Sequence, residues 1–251
     1  MGALARVALI SSPRSGNTWT RLLLKDACGL EQLAENNPWD VDWGALPDRC
    51  VLQMHCHRTD EVLEQLAQHA FRMVHLARHP MDVLISILQC CESVPETAAW
   101  LNGEAGDESS IKGATPQSAA FVEYACSLRA KALLSVSPQW WYRGPGTFLR
   151  YEDLVADTVG ELERLVDEVG IRPVTELRDV VERNGLGALR RYHPQFFWRG
   201  QPGIWSSLLT SGQTALIAAC HRRVLDVLSY ACDADEALSS EQAELSWRDL
   251  A

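Results

Sequence analysis

Short apolar runs alternate along the chain with segments whose apolar positions recur every three or four residues. Val7-Ala8-Leu9-Ile10, Cys50–His55, Phe71–Ala77 and Thr147–Tyr151 read as strands, the first two apolar enough to be buried on both faces. Between them, Thr20–Cys28, with Gly29 as its stop, has helical periodicity, and Asp60–His69 has helix composition. Pro80 opens a further helix whose stripe is Val83, Leu84, Ile87 and Leu88. An unbroken helix is predicted over Ser118–Val136. A helix with a capping box at Thr158–Glu161 ends at Gly170, and two more cover Val174–Arg183 and Gln213–Tyr230. Residues 31–48 read as irregular connection, 101–118 as a surface loop or lid, and Phe196–Gly203 as a loop. Strands alternating with helices predict an α/β fold, a central parallel sheet flanked by helices. One domain over 1–251 follows from the length, with 212–251 as a C-terminal helical region.

The first strand ends in Ser11-Ser12, turns through Pro13-Arg14-Ser15-Gly16-Asn17 and enters a helix at Thr18-Trp19. Gly16 permits close backbone approach, and the new helix offers unpaired N–H groups and a positive dipole end. Arg14 adds a charge, and Ser15, Asn17 and Thr18 add short donors, a set suited to phosphate or sulfate. It is not a Walker A loop, which needs Gly-Lys-Ser/Thr after a first glycine and four residues. Arg78 stands at the C-terminal end of another strand, the edge where open α/β sheets bind ligands, and Ser86 follows two turns into the next helix. Read singly, Arg78 pairs with Asp82 and Ser86 bonds back to a carbonyl.

Net charge changes the picture: at −10, the chain is a poor partner for nucleic acid, though a few arginines in one cleft suffice for a small anion. No apolar run reaches transmembrane length, and the six residues before the first strand are too few for a signal peptide, so no membrane association and a cytoplasmic location are expected. The eight cysteines lack paired or zinc-like spacing and read as reduced thiols. His55-Cys56-His57 has no third ligand nearby, so no metal is expected.

The loop Pro13-Arg14-Ser15-Gly16-Asn17-Thr18-Trp19 resembles the 5′-phosphosulfate loop of the PAPS-dependent sulfotransferases, Pro-Lys-Ser-Gly-Thr-Thr-Trp. Three further stretches match that family in order. Arg78-His79-Pro80-Met81-Asp82 through Ser86 resembles its 3′-phosphate segment, Tyr151-Glu152-Asp153 its Tyr-Glu-Asp, and Arg199-Gly200-Gln201-Pro202-Gly203-Ile204-Trp205 its late glycine loop. Gln53-Met54-His55 stands in the place of its Lys-x-His. The resemblance implies a P-loop-like sulfotransferase fold and sulfuryl transfer from PAPS to a hydroxyl of a small-molecule acceptor. It further implies His55 as base, with Arg14 holding the 5′-phosphate and stabilising the leaving oxygen. Ser15, Gly16, Asn17 and Thr18 would complete the loop's grip, Trp19 and Tyr151 would flank adenine, and Arg78, Ser86, Arg199 and Gly200 would hold the 3′-phosphate that PAPS has and ATP lacks.

The departures are Arg14 for Lys, Asn17 for Thr, Gln53 for Lys, and Trp198 and Ile204 for the Arg and Asp of the late loop. His57 is a rival base two residues beyond His55. Trp39, Trp43, Trp100, Trp140 and Trp141 either line an acceptor pocket or pack the core. Two other functions compete: a P-loop-like kinase using ATP and Mg²⁺, which wants a P-loop lysine and an acidic metal ligand, and a nucleotide-binding protein without catalysis.

Overall fold

A computed structural model of the chain describes residues 4–92, 95–192 and 197–250. Phe196, the first residue of the predicted late loop, lies outside that set, as do residues 1–3 and 251. Among the described residues, five strands, β1 (Ala5–Ser11), β2 (Glu31–Ala34), β3 (Arg49–Met54), β4 (Phe71–Ala77) and β5 (Thr147–Arg150), form one sheet in the order β2-β3-β1-β4-β5. Every pairing is parallel, with Ile10 opposite both Met54 and His75. β1 is the central strand, and Val7 to Ile10 are wholly buried because both faces of the sheet are covered.

Alternation along β1 divides the core. Val7 and Leu9 join Leu23, Leu24, Leu162, Leu165 and Val180 on one side, beneath α1 (Asn17–Cys28), α8 (Thr158–Glu168) and α9 (Leu177–Arg183). Ala8 and Ile10 pack on the other side against α3 (Pro80–Cys90), α4 (Ala119–Ala125), α5 (Leu128–Leu134) and α6 (Val136–Arg143). The remaining helices are α2 (Asp60–Gln68), α7 (Tyr151–Ala156), α10 (Leu186–Tyr192), α11 (Ser211–Cys220), α12 (Arg222–Leu228) and α13 (Ser240–Leu250). Among the described residues, no helix is long and apolar enough to cross a membrane.

Several elements differ from the sequence reading. Strand β2 lies within the stretch read as irregular; its residues are largely exposed at the sheet edge, so no apolar alternation marks it. The Ser118–Val136 helix is two helices, α4 and α5, ending just as α6 begins, because Ser118 and Ser127 each cap a new start by accepting from the backbone N–H three residues on. Pro138 sits in the first turn of α6, where its missing N–H costs nothing, and so does not end a helix. Asp157, not Thr158, caps α8: its carboxylate accepts from Gly160 N–H at 2.9 Å. The predicted Val174–Arg183 helix starts only at Leu177. The Gln213–Tyr230 helix breaks at His221 into α11 and α12. Tyr151 opens a helix instead of ending a strand.

The segment read as a surface loop is held from beneath. Arg129, almost fully buried, donates to Glu108 Oε1 (2.8 Å) and to the carbonyls of Thr97, Trp100 and Glu104. One guanidinium thereby satisfies four backbone or carboxylate acceptors of the 97–108 stretch.

Candidate active site

The C-terminal ends of β1, β3 and β4 lie level in the sheet, so residues 12–16, 55–57 and 78–79 emerge along one edge. Because β1 sits between β3 and β4, this edge is the crevice where the chain switches direction across the sheet. Two clefts open there.

The first is lined by Arg14, Gly16, Thr18, Trp19, Arg78, Ser86, Tyr151, Arg199 and Gly200, nine of the eleven residues the sequence assigned to nucleotide. Arg14 is left-handed (φ 64°), a conformation costing a non-glycine residue about 1–2 kcal/mol, and Gly16 follows at φ 103°. A Cβ on Gly16 would lie 2.5 Å from Tyr151 Cδ2, so only glycine lets the loop pass this ring. Arg14 Nε–H donates to Ser86 Oγ (3.0 Å), and Arg78 Nη1–H donates to the Arg14 carbonyl (3.1 Å). The Arg78 guanidinium also lies over the Tyr151 ring, 4.5 Å from its centre. Burial lowers the pKa of Arg14 from its ordinary value, which leaves a guanidinium charged. Tyr151 O–H donates to the Gly200 carbonyl (2.7 Å), tying the late loop to the sheet edge.

The other two assigned residues sit deeper. Ser15 is fully buried and its Oγ has no hydrogen-bond partner. The Asn17 side chain turns back to the Ser11 hydroxyl and donates to the Ser12 carbonyl (3.3 Å), so only its backbone N–H remains for a ligand at the start of α1. Trp19 is also committed in part, its Nε1–H donating to the Asn184 carbonyl at 2.9 Å. The single-residue alternatives for Arg78 and Ser86 give way to other partners. Asp82 accepts from Gly203 N–H (2.6 Å) and Trp205 N–H (3.1 Å), and Ser86 receives Arg14. Burial pushes the Asp82 carboxyl up, against the opposing pull of Arg78 and those two N–H bonds.

Sequence reasoning did not assign Asp82 this loop-holding role, and it missed Arg190, which lines the cleft and donates to the Arg199 carbonyl (2.8 Å). The Pro80-Met81-Asp82 turn was a legible signal for the first. Nothing local marks Arg190.

The second cleft, of about 500 Å³, has walls of Trp39, Trp43, Val62 and Leu101 together with His55 and His57. Trp100 stands edge-on to His55, ring centres 6.4 Å apart. Trp140 and Trp141 instead pack among core and strand residues, Trp140 stacking on His75 and Trp141 meeting Phe148. β3 ends at Met54, so strand alternation does not extend through the histidines.

His55 is 3% exposed, and its Nδ1 lies 2.9 Å from the Ser11 carbonyl. A carbonyl only accepts, so Nδ1 carries the proton and Nε2 the lone pair. The Gln53 amide N–H faces that Nε2 at 3.4 Å. Burial, reinforced by the charges of Arg21 and Arg14, lowers the His55 pKa to about 4 despite the Ser11 bond. His57 Nε2 is engaged with Ser135 Oγ (3.0 Å) and the Ala132 carbonyl (3.2 Å), while Nδ1 stands 3.6 Å from Glu104, beyond hydrogen-bond length. Among the described residues, no group of three or more His, Cys, Asp or Glu is placed to hold a metal.

No protein-family model and no curated protein sequence matches the chain. Solved structures do. The mouse sulfotransferase SULT7A1 complexed with PAP superposes with a TM-score of 0.65 at 16% identity, over 92% of this chain and 90% of that one. Retinol dehydratase in complex with androsterone and PAP gives 0.52 at 17%, over 90% and 82%; its complex with retinol and PAP gives 0.53 at 16%, with the same coverage. At this identity the likeness establishes architecture: the chain has the P-loop-like α/β fold of the sulfotransferases.

Proposed function

We propose that the protein is a PAPS-dependent sulfotransferase acting on a hydroxyl-bearing small molecule. The observation that carries this reading is a cleft lined by four arginines opening at the same sheet edge as an aromatic pocket walled by a neutral histidine, with Arg14 close enough to depress that histidine's pKa. The first cleft suits a nucleotide with phosphates at both ends. Arg78 Nε is an enclosed polar atom of the cleft wall without a partner, a cost of about 1–3 kcal/mol that a bound anion would remove.

Arg14, the loop N–H groups and the start of α1 would hold the 5′ end. Arg78, Ser86 and Arg199 would hold the 3′-phosphate, and Trp19 and Tyr151 flank the space between. PAPS supplies an SO₃ group on its 5′-phosphate, whose transfer to the acceptor oxygen leaves PAP. His55 Nε2 takes the acceptor's proton, and the Ser11 carbonyl fixes the tautomer that makes this possible. Arg14 keeps positive charge beside the departing oxygen; as a guanidinium it acts through charge and hydrogen bonds and not as an acid. Retinol and androsterone, bound by the structural neighbours, are apolar hydroxyl-bearing molecules, in keeping with an acceptor pocket walled by Trp39, Trp43 and Leu101.

The test is release of PAP from PAPS in the presence of a panel of sterol, retinoid and phenol alcohols, with and without EDTA. Acceptor-dependent PAP release that survives EDTA supports the reading. Transfer from ATP that requires Mg²⁺ would replace it with the kinase, and PAP binding without turnover on any acceptor with the non-catalytic binder.

A further inference from the structure

The C-terminal helix α13 ends against the late loop. The last carbonyls of a helix lack partners within it and carry partial negative charge. Here they are met by the residues just before the loop's glycines: Trp198 Nε1–H donates to the Leu250 carbonyl (3.0 Å), as do Arg199 Nη2 (3.0 Å) and Nε (3.4 Å), while Nη2 also reaches the Asp249 carbonyl (3.2 Å). The Trp198 and Trp247 rings meet with centres 5.5 Å apart. The helix is itself anchored, with Ala243 fully buried and Trp247 and Leu250 packed on the core.

Nε and Nη2 share one edge of a guanidinium, so α13 occupies that edge and fixes the plane of the group. Among the described residues, Nη1 has no hydrogen-bond partner, and Arg199 with Gly200 forms part of the first cleft's wall. Arg190 holds the Arg199 carbonyl from the cleft side (2.8 Å). The side chain is therefore fixed on one edge and available on the other.

We propose that α13 is a working part of the nucleotide site: through Trp247 and its terminal carbonyls it positions Arg199 to select a nucleotide bearing a 3′-phosphate. The inference rests on the proposed function, since the ligand is the PAP portion of PAPS. It also gives Trp198 a purpose. Where the family pattern has a second arginine, this chain has a tryptophan that docks the helix, so one arginine fixed in place stands where two would be.

The test compares binding of PAP and ADP, by calorimetry, to the full chain, Trp247→Ala, a chain ending at Ser246, Arg199→Ala, and the last two changes combined. Ending at Ser246 keeps Ala243 in place but removes Trp247 and both accepting carbonyls. Trp247→Ala and the shortened chain are each expected to weaken PAP about tenfold and leave ADP within twofold, and Arg199→Ala in the shortened chain should add almost nothing. PAP affinity that is unchanged or tighter without the end of α13, or losses that add fully with Arg199→Ala, would overturn the proposal. Equal loss of PAP and ADP affinity would reduce α13 to general support of the fold and overturn it too. A full chain that does not prefer PAP to ADP would instead overturn the functional reading on which it rests.

Discussion

Replacing His55 by glutamine should make the protein less sensitive to acid. His55 is enclosed and neutral, its pKa lowered from an ordinary 6.5 to about 4 chiefly by burial. In the unfolded chain the same side chain takes a proton near pH 6.5. As pH falls from 6.5 to 4 the unfolded state therefore gains a proton that the folded state refuses, and the stability present above pH 6.5 is progressively lost. At 1.36 kcal/mol per pKa unit, the loss by pH 4 is about 3 kcal/mol. His75 and His221, also lowered by burial, act in the same direction in both proteins and cancel from the comparison. Urea unfolding at pH 7.5, 5.5 and 4.5 reads the difference: wild type should lose stability relative to His55→Gln across this range. Parallel losses in the two proteins would mean that His55 titrates normally, and the account of a dry, neutral base would be wrong.

His55→Ala should reduce turnover about 10²–10⁴-fold while PAP affinity holds, whereas His57→Ala, at a residue whose Nε2 is held by Ser135 and Ala132, should stay within a few-fold in an acceptor assay. Gly16→Ala combines a left-handed backbone with a Cβ 2.5 Å from the Tyr151 ring and should cost about 2–5 kcal/mol in chemical denaturation; a change under about 0.5 kcal/mol would contradict the geometry. Asp82→Asn leaves one acceptor oxygen for the two N–H groups of Gly203 and Trp205. It should lower PAP affinity by loosening the late loop, with unchanged affinity as the contrary result.

What the sequence made legible follows the physics of each signal. β1, β3 and β4 were readable because their apolar residues are buried in the sheet's interior, while β2 was hidden because an edge strand needs no apolar face. Helix existence was clear from periodicity, but breaks at Ser127, Ser135 and His221 were not, since serine caps and short turns leave the apolar stripe intact. Nine of the residues lining the first cleft were picked out by the family resemblance; of these Arg14, Arg78 and Tyr151 stand at or just beyond strand ends, where position alone is also a signal. Arg190 and the α13 carbonyls escaped notice because they reach the site through tertiary packing alone. Backbone carbonyls also have no sequence signature. Asn17 shows the converse: its type suits an anion loop, yet its amide is spent inside the turn.

The central claim is that this cleft holds a nucleotide with separate 5′ and 3′ phosphate sites, and calorimetric titration of the intact protein with PAP and then ADP tests it most directly. On the proposed reading Arg78, Ser86 and Arg199 would meet no phosphate of ADP, whereas each charged contact to a 3′-phosphate is worth about 1.5–3 kcal/mol. PAP should therefore bind at least tenfold more tightly than ADP, with the preference lost in Arg78→Ala. Equal affinities, or tighter binding of ADP, would contradict the account.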